Sequence, residues 1–171
     1  MDTPTLSEPC VAVADFQHPE GWTAANHDER ARYYCRQLEE GKILLFPAPP
    51  FALPQDNREF LLGQRQTGSK FHKNISYKPS KDQLSGVSSE EGQARVHDIL
   101  RNYSAEVTRF LSSFLLPYQG RWKLDYASFR PLEEKGRDLP LHKRNDLLHV
   151  DAFPSRPTRG DRILRVFTNI N

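Results

Sequence analysis

The sequence predicts an α+β fold in which a helical layer is set against a β-sandwich or barrel. Three observations predict it. Up to about residue 120 the apolar side chains recur at three- and four-residue steps, the period of a helix face. From residue 121 they alternate in twos, the period of a strand. Thirteen prolines and nine glycines in 171 residues are too many breaks for a helical bundle and suit a fold rich in turns.

The elements follow in order. Residues 1–22 carry three prolines and read as an extended arm. Residues 24–40 read as a helix, because Ala31, Tyr34, Cys35 and Leu38 share one face and Gly41 stands where a helix C-terminus ends. Lys42–Phe46 is a short strand, stopped by Pro47, Pro49 and Pro50. Residues 55–65 form a second short helix, and the polar stretch 66–87 reads as loop. A long helix follows. Ser88 and Glu91 fit a capping box, and Val96, Ile99, Leu100, Tyr103, Val107, Phe110, Leu111 and Phe114 make an apolar stripe that Pro117 and Gly120 end.

Arg121–Arg130 then alternates as a strand, with Trp122, Leu124, Tyr126, Ser128 and Arg130 on one side and Lys123, Asp125, Ala127 and Phe129 on the other. A charged loop covers 131–146. Leu147–Phe153 and Arg162–Ile170 are two further strands. The length is that of one domain, divided into a mainly helical part, 1–120, and the first strands of a sheet structure, 121–171. The chain stops just after a strand-like run, so the expectation is that it stops inside that domain.

Composition excludes several classes. With 24 basic and 22 acidic residues the net charge is +2, so bulk charge makes no case for nucleic acid. Two cysteines, Cys10 and Cys35, are no disulfide framework. The first residues have neither the basic nor the apolar region of a secretory signal, and the apolar stretches Ile43–Phe46 and Phe110–Pro117 are too short to span a bilayer. The expected compartment is the cytoplasm, with peripheral contact to a membrane surface left open. There is no G-x-S-x-G elbow, phosphate-binding glycine loop or C-x-x-C pair.

The sharpest chemical feature is His149-Val150-Asp151 in the apolar run Leu147–Phe153. Positions i and i+2 of a strand share a face, so an imidazole and a carboxylate project together from a rigid element. That is two thirds of the two-His-one-carboxylate set of non-haem iron(II) oxygenases. The bland alternative is a hydrogen-bonded His–Asp pair on a half-exposed strand. An apolar surrounding, where an unpaired charge is costly, favours the metal. Asp151 and His149 are therefore the candidate catalytic and metal-ligating residues. His142, the nearest other histidine in sequence, is a weak third ligand; His97 reads as a surface position on the long helix, and His18, His27 and His72 lie in the arm or in loops.

Other polar positions are candidates for a small carboxylated ligand. Arg165, Phe167 and Asn169 alternate against an apolar set, Leu164, Val166, Thr168 and Ile170, that suits packing on the helices. A buried arginine there pairs a carboxylate bidentately. Arg130 and Tyr126, with Ser128, would face the same cavity. Arg156, Arg159, Arg162 and Arg165 stand against the single acid Asp161, and Lys143 and Arg144 lie just upstream, so an acidic substrate near this segment competes with a merely solvated basic loop.

The run Leu148-His-Val-Asp-Ala-Phe-Pro-Ser-Arg-Pro-Thr-Arg-Gly160, continued by Arg162–Asn171, resembles the Kdo hydroxylase family. The likeness is clearest over about 25 residues and extends more loosely to the rest of the chain. It implies a double-stranded β-helix (jelly-roll, cupin-like) core with the N-terminal helices packed on one sheet. It implies iron(II), 2-oxoglutarate and O₂, with His149 and Asp151 as the first two metal ligands and a later histidine that has no counterpart in these residues. The implied reaction is hydroxylation at C3 of 3-deoxy-D-manno-oct-2-ulosonic acid (Kdo) in the lipopolysaccharide inner core, on a Kdo-containing lipid A precursor. Arg130, Asn169, Arg165 and Tyr126 would then hold 2-oxoglutarate, and Arg156, Arg159, Lys143 and Arg144 the acidic substrate. The competing readings are a 2-oxoglutarate hydroxylase of another acidic or lipid-linked molecule, a metalloenzyme of cupin type without that co-substrate, and a non-catalytic sugar-binding jelly roll.

Overall fold

The computed structural model describes residues 9–13, 24–64, 74–87, 90, 92–131 and 157–170. Within them the fold is α+β: three helices, a parallel pair of strands and a three-stranded antiparallel sheet.

Strand β1, Cys10–Ala12, pairs in parallel with β2, Ile43–Leu45, and helix α1, Ala24–Glu39, makes the crossover that a parallel pair requires. The extended arm thus contributes a strand. Helix α1 buries Ala31, Tyr34 and Cys35, the spacing expected from the sequence. Its end is a Schellman motif: Gly41 N donates to Leu38 O and Lys42 N to Gln37 O, with Gly41 at φ +80°. The buried Gln37 side chain is satisfied by Lys42 Nζ at 2.8 Å.

Helix α2, Gln55–Leu62, buries Leu61. The polar stretch expected to be loop is not one throughout. Ile75–Lys78 (β3) and Gln83–Ser85 (β4) form an antiparallel hairpin, and Ala127–Phe129 (β5) pairs with the other edge of β3. Strands of three or four residues are too short to display a period, and here one face is polar, so no apolar alternation marks them.

Helix α3, Gln93–Phe114, is the spine. It starts behind Gly92; Ser88 and Glu91, the expected capping box, lie outside the described residues. Its stripe serves two cores. Val96 and Leu100 pack on Ile75, Tyr77 and Ala127 of the sheet. Phe110 and Phe114 pack on Ala31, Tyr34 and Cys35 of α1 and on Val13. Phe110 and Phe114 stack at 5.1 Å, and Phe46 meets both edge-to-face at 5.5 and 5.3 Å.

Two strand expectations are corrected. Of Arg121–Arg130 only Ala127–Phe129 is strand, because pairing extends only where β3 supplies a partner. Of Arg162–Ile170 none is strand: the segment has no ladder partner among the described residues. Side chains hold it instead. Tyr103 Oη lies 2.9 Å from Thr168 Oγ1, Arg58 Nε donates to Ile170 O, Arg162 pairs with Glu39, and Lys123 Nζ reaches Asp161 at 2.8 Å. Of the set expected to face the helices, Thr168 and Ile170 are half-buried, but Leu164 and Val166 are exposed at 38% each, and Phe167 on the other side is 81% exposed.

Candidate functional site

The antiparallel sheet has two unlike faces, and its register explains why. Ser76 lies opposite Ser85 on one side and Ser128 on the other; Tyr77 lies opposite Leu84 and Ala127. Tyr77 and Ala127 are buried toward α3, with Ile75 beside them. The alternate residues therefore come out on the opposite face. Ser76 Oγ and Ser128 Oγ are 3.0 Å apart there, and Lys78 Nζ stands 5.3 Å from the centre of the Tyr126 ring, within cation–π range.

This face gathers three of the expected polar positions. Tyr126 is 44% exposed, and Ser128 and Arg130 are exposed beside it. Arg165 and Asn169 belong to the 162–170 segment instead. They line a groove of about 780 Å³ whose far wall is β2 and the prolines after it. Exposed Ile43, Leu45, Ile163 and Phe167 make that groove largely apolar. Arg159 occupies a left-handed turn position, φ 54°, ahead of Gly160, and is exposed. His149, Asp151, Lys143, Arg144 and Arg156 lie outside the described residues, as do His18, His72 and His142. Among the described residues no three His, Cys, Asp or Glu side chains come together as a metal cluster.

His97 is in a structural cluster. Its Nε2 lies 3.1 Å from Asp82 O and its ring meets Tyr77 at 5.3 Å. Asp82, at φ 47° in the β3–β4 turn, accepts Arg101 Nε at 2.9 Å and the Tyr77 hydroxyl at 3.0 Å on Oδ1. Arg101 Nη2 takes Oδ2, completing a fork. The Arg101 hydrogen bonds hold the Asp82 carboxyl below the ordinary carboxylate range, with the Tyr77 hydroxyl and His97 adding to them. Burial pushes the Tyr77 phenol up, and the neighbouring carboxylate adds to that shift. The cluster pins the hairpin turn to α3. No pattern in the sequence marks it, because nothing in the spacing of Asp82 and Arg101 links a turn to a helix.

Lys78 and Ser76 were missed for a related reason. They fall in the polar stretch 66–87, whose composition reads as loop, and only the pairing of β3 with β5 sets them beside Tyr126 and Ser128. No helix among the described residues is long and apolar enough to cross a membrane.

Comparison with known proteins gives the chain's relatives. Residues 21–171 match the family model described as 3-deoxy-D-manno-oct-2-ulosonic acid (Kdo) hydroxylase. The chain is similar to the apo structure of the Kdo hydroxylase KdoO, a non-heme Fe(II) alphaketoglutarate dependent dioxygenase: 32% identity over 91% of this chain and 50% of that one, with a TM-score of 0.73. The cobalt(II) complex of KdoO matches at 33% identity and TM-score 0.73, and its complex with alphaketoglutarate and Fe(III) at 31% and 0.71, with the same coverage. The chain thus spans about half the length of the solved structures it matches. No curated protein matches it by sequence.

Proposed function

This chain belongs to the Kdo hydroxylase family, and on that footing we propose that it is part of an iron(II)- and 2-oxoglutarate-dependent dioxygenase that hydroxylates C3 of Kdo in the lipopolysaccharide inner core, giving the 3-hydroxy sugar Ko. The observation that carries the reading is the match of residues 21–171 to that family's model, with about a third of the residues identical to KdoO over 91% of this chain. In this reading all 171 residues belong to one dioxygenase domain. Residues 1–120 hold the three helices together with β1–β4, and 121–171, with β5, would begin a double-stranded β-helix.

His149 and Asp151 are the residues that would hold the iron. A neutral imidazole and a carboxylate are two of the three donors that a ferrous facial site takes. When bound, the metal supplies the activation of O₂ that, coupled to decarboxylation of 2-oxoglutarate, oxidises an unactivated C–H bond. The chain's own residues bind and orient. Arg130 on the polar sheet face, and Arg165 and Asn169 in the apolar groove, are two separate sets of guanidinium and amide donors that suit a carboxylated ligand, and the Tyr126 ring stands on the same sheet face as Arg130. Arg156, Arg159, Lys143 and Arg144 flank the metal-binding pair and suit the carboxylate and phosphates of a Kdo-bearing lipid A precursor. Such a substrate places the enzyme in the cytoplasm, in peripheral contact with the inner-membrane surface.

The test is turnover of Kdo₂-lipid A with iron(II), 2-oxoglutarate and O₂. The reading expects a product heavier by one oxygen atom and one succinate released per product. Succinate without product, or product without succinate, removes it.

A further inference from the structure

The polar face of the antiparallel sheet is larger than the part given above to the dicarboxylate. Beyond the paired serines, the register sets a second cross-strand row. Lys78 is paired with Gln83, and one step before Ala127 the chain brings Tyr126 beside Lys78 on its other side. Arg130 continues the alternation of β5 and is exposed. The face so formed carries two cations, one aromatic ring, three serine hydroxyls and an amide. Its described strand positions include no acidic side chain.

Charge and spacing say what such a face receives. Arg130 lies four residues along the chain from Tyr126, so the backbones of Arg130 and Lys78 are roughly 13 Å apart by the strand rise. A single short dicarboxylate would leave one of the two cations without an anion. Two carboxylated ligands side by side would occupy both. The ring of Tyr126 offers an apolar surface for a sugar's C–H face, and the serine row offers hydroxyls that both donate and accept.

We propose that Lys78, with Tyr126 and the Ser76–Ser128 pair, binds the carboxylate and ring hydroxyls of the sugar-acid substrate, leaving Arg130 to the co-substrate. The assignment rests on the hydroxylase reading above and adds to it a substrate subsite on β3. Lys78 is a substrate-binding residue in this account, and its ammonium acts as a point charge whose removal weakens the sugar acid alone.

Steady-state kinetics of the iron-loaded holoenzyme test it, with Lys78→Glu and Lys78→Arg beside the wild type. Loss of a charge-assisted contact, replaced by repulsion, should raise KM for Kdo₂-lipid A about tenfold or more, while KM for 2-oxoglutarate moves less than about twofold. Lys78→Arg should recover most of the loss. An unchanged KM for the lipid substrate overturns the proposal, and so does a rise confined to 2-oxoglutarate. Calorimetric titration of free Kdo into the same proteins, without co-substrate, reads binding apart from turnover. If the wild type fails to hydroxylate Kdo, the hydroxylase reading falls, and titration with a panel of hydroxylated sugar acids still decides the subsite. Binding lost in Lys78→Glu upholds it, and no binding by the wild type overturns it.

Discussion

Tyr103 Oη and Thr168 Oγ1 lie 2.9 Å apart, across 65 residues of sequence, and they tie the last described segment to the long helix. Burial pushes the Tyr103 phenol up, and the hydrogen bond to Thr168 partly offsets that shift. The bond matters because the segment has no strand partner among the described residues to hold it. Tyr103→Phe keeps the ring against Phe51 and removes only the hydroxyl. The expected cost is about 1 kcal/mol in urea unfolding. Amide exchange should rise over 162–170 more than over α1. Equal protection in both variants would show that the segment is held by something else.

The raised Tyr103 phenol also fixes a sign at high pH. A pKa above its unfolded value contributes stability that is whole below the unfolded pKa and is lost as pH rises through the folded one. Wild-type stability should therefore fall from about pH 10 upward more steeply than that of Tyr103→Phe. Melting temperature against pH for the two proteins checks this.

Asp82 gives the opposite limb. Its carboxyl is held down chiefly by Arg101, so the clamp's contribution is present above the unfolded carboxyl pKa of about 3.9 and is lost as pH falls through the lower folded value. Asp82→Asn should lower the melting temperature at neutral pH and flatten its acid limb. A variant with the same acid limb as the wild type would mean that the Arg101 fork adds nothing measurable.

Two glycines with similar φ separate strain from space. Gly41, φ +80°, has open space where a Cβ would go, whereas at Gly86, φ +84°, a Cβ would stand 2.2 Å from the carbonyl oxygen of Asn74. Gly41→Ala should cost about 1 kcal/mol, the left-handed penalty alone. Gly86→Ala must also move the backbone of β3 and should cost about 3 kcal/mol or more. Chemical denaturation of both variants reads the difference directly.

The helical layer was legible in the sequence because its signals are long. The stripe from Val96 to Phe114 repeats over five turns or so, and Gly41 closes α1 where the apolar face runs out. What escaped was short or non-local. β3 and β4 hold three or four residues each, and their outward positions are serine, lysine and glutamine, so composition resembled a loop. Ser76 and Lys78 acquire meaning only when β5 arrives, some fifty residues later, to set Ser128 and Tyr126 beside them. The strand expected over 162–170 had the right alternation but lacks a neighbour to pair with among the described residues, and a strand is a property of two chains segments at once. His149 and Asp151 were read from spacing and resemblance, and they lie outside the described residues.

The metal and the helical core should separate experimentally. Among the described residues no cluster of three ligating side chains stands inside the fold, and the core is built from rings and aliphatic chains such as Phe114, 1% exposed, between α1 and α3. On the proposed hydroxylase reading, chelation of the iron-loaded protein should therefore abolish turnover and leave the far-ultraviolet dichroism of α1–α3 and their cooperative melting in place. On the proposed assignment of His149 and Asp151 as ligands, His149→Ala and Asp151→Ala should do the same, with iron affinity falling steeply because each would remove one of few ligands. Phe114→Ala should show the reverse pattern. It removes a ring that touches Tyr34, Phe46 and Phe110, at a cost of about 3–5 kcal/mol. The protein that survives should still take up iron in proportion to its folded fraction. If chelation melted the helices instead, the metal would be part of the folding core, and the division between a self-sufficient helical layer and a ligand-bearing sheet would be wrong.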